Sequence, residues 1–82
     1  MKINEIKNIL DYARECGRLV TITLVSGQVS HINFSKKTKK FTATDDVILD
    51  AEGHLLIKYD TDGSVDYIDS DSIIRIFSKE GV

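Results

Sequence analysis

The chain has 82 residues, with 11 basic and 13 acidic side chains, one cysteine and neither proline nor tryptophan. That length leaves room for one small domain, the single Cys16 excludes an internal disulfide and points to a reducing compartment, and no apolar run comes near the length of a membrane span. A cytoplasmic protein with no membrane partner is the expectation, and its core is a small one that self-association would help.

The first segment carries a helical period. Ile6, Ile9, Leu10 and Ala13 fall at i, i+3, i+4 and i+7, which is one face of an α-helix. Asn4 is the predicted N-cap, Glu5 favours the first turn, and Gly17 is the predicted stop. The helix is therefore expected over residues 4–16. After Gly17 the period changes to two. Val20, Ile22 and Leu24 alternate with Thr21 and Thr23, giving a strand, and residues 25–28 read as a turn. Ser30, Ile32 and Phe34 alternate with His31 and Asn33 in a second strand, with His31 on the surface side. Residues 41–54 are the least decided; they contain the short apolar run Val47-Ile48-Leu49 and the turn Asp50-Ala51-Glu52-Gly53. Leu55, Ile57 and Tyr59 form the inward side of the next strand. Asp60-Thr61-Asp62-Gly63 is a hairpin turn, Val65 and Tyr67 open another strand, residues 69–72 make an acidic corner, and residues 73–77 close the domain. One helix followed by five or six short antiparallel strands predicts a mainly β fold of the strongly bent, SH3-like barrel kind over residues 1–82, with the barrel at about 18–78.

The net charge of −2 hides a division. Residues 1–43 carry eight basic and three acidic side chains, whereas residues 44–71 carry nine acidic ones and only Lys58 as a base. Such a division fits either a polyanion partner or subunits that attract one another.

The stretch LVTITLVSGQ resembles the opening strand and turn of the Sm-like family, with Ser26-Gly27 in place of the family's Asp-Gly or Asn-Gly. SIIRI is similar to the family's second motif, Ile74-Arg75 matching its first two residues and Ile76 replacing the glycine. The resemblance covers most of the chain. It implies an Sm-like barrel that assembles into a closed homo-oligomeric ring of five to seven subunits, joined edge to edge through the last two strands. Leu56, Ile73 and Phe77 alternate out of phase with the expected core and are the predicted subunit-interface residues.

In an Sm-like ring the loop after the second strand faces the pore. Lys36, Lys37, Lys39 and Lys40 occupy that loop and are the predicted phosphate contacts for single-stranded RNA, with Phe41 as a stacking residue and Arg75 as a second-motif contact. Two other readings stay beside this one: a structural scaffold in which the lysines pair with Asp60, Asp62 or Asp66 of a neighbour, and a monomeric peptide-binding barrel. His31, His54 and Cys16 lack zinc spacing, and the Asp60–Gly63 turn lacks the ligand positions of an EF-hand. No nucleophile–base set and no glycine-rich phosphate loop can be assembled. No cofactor, no metal and no enzymatic activity are expected.

Overall fold

The computed structural model describes residues 1–35 and 44–81. These form one N-terminal helix and six strands in two antiparallel sheets, a mainly β arrangement. In chain order they are α1 (Ile3–Cys16), β1 (Arg18–Leu24), β2 (Val29–Asn33), β3 (Asp46–Leu49), β4 (His54–Lys58), β5 (Val65–Asp69), a single 3-10 turn (Ser70–Ser72) and β6 (Ile73–Glu80). The first sheet has the order β2-β1-β6 and the second β3-β4-β5. No described helix is long and apolar enough to cross a membrane.

The helix starts two residues earlier than a cap at Asn4 would set it, and one earlier than the expected span of residues 4–16. Lys2 is the N-cap, no side chain caps the first turn, and Asn4 lies inside the helix. The earlier start sets Ile3 at i−3 to Ile6 and i−7 to Leu10, so the apolar stripe gains a turn; that gain outweighs the modest worth of an asparagine cap. The helix ends as expected. Gly17 adopts φ 65° and its N–H reaches back to the carbonyls of Ala13 and Arg14, a left-handed stop that costs a side chain about 1–2 kcal/mol and glycine almost nothing.

Both sheets bury one face. Val20, Ile22, Ile32 and Ile73 from the first meet Val47, Leu55, Ile57 and Ile68 from the second, and Ile6, Leu10 and Ala13 of α1 close the core at one end, with Phe34 beside them. Fully burying each large aliphatic side chain is worth about 1.5–3 kcal/mol relative to leaving it in water. Ile73 belongs to this core, being 1% exposed. This corrects the expectation that it faces outward with Phe77. Strand β6 pairs Arg75 with Thr23 but Ile73 with Leu24, so its register shifts at that point. The extra residue, Ile74, is a bulge, and a bulge reverses the facing of everything before it.

The two sheets are also joined by polar contacts. Ser30 on β2 and Tyr59 after β4 both donate to Asp66 Oδ2 on β5, at 3.3 and 3.1 Å. Arg14 of α1 donates to the Val47 carbonyl at the edge of β3 and lies 5.5 Å above the Phe34 ring.

Candidate nucleic-acid interface

Lys36, Lys37, Lys39, Lys40 and Phe41 lie outside the described residues. What the structure describes is the surface from which that segment departs, the end of β2. Side chains alternate along a strand, so the solvent-facing side of β2-β1-β6 can be read from the register. Thr21 lies between His31 and Phe77, Thr23 between Val29 and Arg75, and Leu19 between Asn33 and Lys79. No carboxylate stands among these nine residues. The face presents Arg75, Lys79 and the imidazole of His31 around one exposed aromatic ring.

Phe77 is 45% exposed, and the Arg75 guanidinium lies 5.3 Å from its ring centroid. The guanidinium lies over the ring, which puts a cation and an aromatic surface at one spot, the two elements that single-stranded nucleic acid needs for phosphate neutralisation and base stacking. Thr21 Oγ1 and His31 Nδ1 are 3.2 Å apart, which steadies the imidazole on the same face. Arg75, predicted as a nucleic-acid contact, is thus exposed on this face. Phe77, predicted as a subunit contact, shares it. The signal for the grouping was present in the chain: Arg75, Phe77 and Lys79 stand two residues apart, a spacing that puts all three on one side of a strand.

Beside this face a groove follows the outer edge of β2, with His31 and Lys79 along one wall and Tyr59, Ser64 and Asp66 along the other. Asp45, Asp62 and Asp66 also line it, so the groove carries charges of both signs. The carboxylates of the β4–β5 hairpin serve its turn. Asp62 Oδ1 accepts both the Ser64 N–H and the Ser64 hydroxyl, at 2.9 and 2.6 Å, and the hydroxyl first, then the amide, hold the Asp62 carboxyl below its ordinary pKa.

A second groove separates α1 from β3. Here charges of both signs face one another, as in the 3.8 Å approach of Arg14 to Asp46, and no field of one sign results. Among the described residues no three His, Cys, Asp or Glu side chains converge to hold a metal.

The third predicted interface residue, Leu56, sits on the outer face of the other sheet, where Ile48, Leu56 and Tyr67 form one cross-strand row. The His54 ring stacks on Tyr67 at 5.0 Å between centroids, and its Nδ1 lies 3.4 Å from Asp50 Oδ2. This face is apolar at its centre, with Asp46 and Lys58 toward one end and Asp69 toward the other. No known family model matches the chain, and no curated protein or solved structure matches it either.

Proposed function

We propose that the chain is a self-associating binding module of the Sm-like barrel type, taking single-stranded RNA on the outward face of β2-β1-β6 and on the lysine-rich segment 36–40 that follows β2. The observation that carries the reading is the placement of Phe77, Arg75, Lys79 and His31 on one carboxylate-free face of a chain whose net charge is negative. Stacking on Phe77 and phosphate contacts from the cations act together there, and neither selects strongly among base sequences. The module binds and does no chemistry of its own.

Fluorescence anisotropy of a labelled oligouridine, titrated with the full chain over a series of salt concentrations, tests this. Affinity that falls steeply as salt rises, and that drops on Phe77→Ala, is the expected result. Absence of binding at low salt, or binding indifferent to both salt and Phe77, overturns it. The scaffold reading is favoured by one observation, the exposed apolar row Ile48–Leu56–Tyr67; there, native mass spectrometry shows an oligomer that gains no RNA.

A further inference from the structure

We propose that strand β5 is a dimerisation edge, which pairs antiparallel with β5 of a second copy about a two-fold axis through Tyr67.

Two open sheets have four outer edges, and three of them carry a guard at one point at least. On β2, the Asn33 N–H and carbonyl are taken by the Asp45 carboxylate and the Asp45 N–H. On β3, the Val47 carbonyl is taken by Arg14. On β6, the Ser78 carbonyl is taken by Arg18, and the strand carries Arg75, Lys79 and a bulge. These are the devices by which natural sheets avoid edge-to-edge association.

Strand β5 is the least guarded: Asp66 points inward to Ser30 and Tyr59 and the Asp69 carbonyl accepts the Ser72 hydroxyl at 2.6 Å, but its middle is bare. It contains neither lysine nor proline, and its pairing with β4 is unbroken. The Tyr59 N–H donates to Ser64 and the Ser70 N–H to Gly53, so by the antiparallel alternation residues 64, 66, 68 and 70 bond toward β4. The backbone groups of Val65, Tyr67 and Asp69 point the other way. No hydrogen bond from the described residues reaches those of Val65 and Tyr67, and their side chains are 57% and 65% exposed.

The register names the partner. Outward-pointing backbone groups must meet outward-pointing groups, and facing residues must share a side of the sheet. On β5 the open groups belong to residues whose side chains face solvent. On β6 they belong to Ile76 and Ser78, which lie on the core side. Antiparallel joining of β5 to β6 of a neighbour, the junction that the Sm-like resemblance implies, therefore sets an outer face against an inner one unless a bulge intervenes. A second β5 meets the requirement directly. Centred on Tyr67, the pairing sets Tyr67 opposite Tyr67, Val65 opposite Asp69, and Asp66 opposite Ile68. The open groups of Val65 and Tyr67 and the Asp69 N–H are used, and no carboxylate opposes another. Centred one residue earlier, it sets Asp66 against Asp66; centred one residue later, Val65 loses its partner.

The chosen register also extends the outer apolar row without a break, Ile48–Leu56–Tyr67 of one copy running into Tyr67–Leu56–Ile48 of the other. The stack of His54 on Tyr67 already holds the central ring in place.

The test uses the full chain. Sedimentation equilibrium over a concentration series is expected to give a monomer–dimer equilibrium, with amide exchange at Val65 and Tyr67 slowing as the dimer fraction grows. Tyr67→Lys, which sets like charges opposite, is expected to leave a monomer with an unchanged circular dichroism spectrum. Tyr67→Cys in a Cys16→Ser background is expected to give a disulfide-linked dimer on mild oxidation. A chain that stays monomeric throughout overturns the proposal. So does a ring with an odd number of subunits, or an oligomer in which the Tyr67 amide exchanges at the same rate at every concentration.

Discussion

The Tyr59 hydroxyl donates to Asp66 Oδ2 at 3.1 Å, and the same oxygen accepts the Ser30 hydroxyl at 3.3 Å. One carboxylate thus ties the β4–β5 hairpin to β2 of the other sheet. The tyrosine is half-buried there, and burial first, with the adjacent carboxylates helping, raises its phenol above the ordinary pKa of 10.0. Asp66→Ala leaves two hydroxyls without their acceptor and should destabilise the chain by about 1–3 kcal/mol. Tyr59→Phe removes one donor while the carboxylate keeps Ser30, and should cost about 0.5–1.5 kcal/mol. Urea unfolding of the two variants beside the parent measures both, and equal losses would show that the clasp does not act through Asp66.

Of the turn glycines Gly27, Gly53 and Gly63, Gly53 tolerates a side chain least well. Its φ is 86°, and an added Cβ meets the buried Ser70 Oγ at 2.7 Å and Ile3 Cδ1 at 3.1 Å. Gly63 shares the left-handed backbone, φ 71°, but faces open space. Gly63→Ala should cost about 1–2 kcal/mol, the backbone term alone. Gly53→Ala should cost more, because the 3-10 corner or the start of α1 must also move. Thermal unfolding of the pair separates the backbone term from the steric one.

Two turn carboxylates predict an acid-side sensitivity. Asp50 accepts the N–H groups of His54 and Glu52, each at 2.9 Å, and the His54 amide is the larger cause of its lowered pKa. Asp62 is lowered through Ser64. A carboxyl whose pKa is lower folded than unfolded adds stability that is present above its ordinary value, 3.8, and is lost as pH falls through the folded value. Melting temperatures recorded from neutral pH into that acid range should fall for the parent. They should fall less steeply for Asp50→Asn with Asp62→Asn, whose side-chain amides cannot titrate. Parallel curves would remove these turns from the acid response.

For nucleic acid, two groups of substitutions should behave differently. Replacing Lys36, Lys37, Lys39 and Lys40 by serine should weaken oligouridine binding and flatten the salt dependence, since each lost phosphate contact on a single strand lowers the slope of log K against log salt by about 0.7. Phe77→Ala should weaken binding by about 1–3 kcal/mol and leave the slope unchanged, because a stacked base releases no counterions. A change of slope on Phe77→Ala would mean that the ring acts only by positioning Arg75.

Much of this fold is legible from periodicity. The stripe of Ile6, Leu10 and Ala13, the left-handed stop at Gly17, the alternation of Val20 and Ile22 with threonines and the burial of Leu55 and Ile57 all follow from the spacing of apolar residues. Ile73 does not, because a bulge inserts one residue without any glycine or proline to mark it, and a strict period of two then assigns the wrong face. Asn4 shows the same limit at a helix end, where packing of Ile3 outweighs a local cap preference. The candidate face is half legible. The two-residue spacing of Arg75, Phe77 and Lys79 puts them together, but His31 and Thr21 join them only through strand pairing across the chain, which spacing within one segment does not encode.

Strand β1 is the centre of its sheet, yet its two partners lie at very different distances along the chain. Strand β2 follows after a four-residue turn, whereas β6 begins at Ile73. During synthesis, at about 5–20 residues per second, the hairpin of β1 and β2 emerges several seconds before the strand that completes it. For that interval the flank of β1 that later binds β6 is a bare edge on a nascent chain, and Val20 and Ile22 lack Ile73 of their final cover. Ribosome-bound intermediates of this protein should therefore be the stage at which chaperones hold it longest, with release timed by the appearance of residues 73–80.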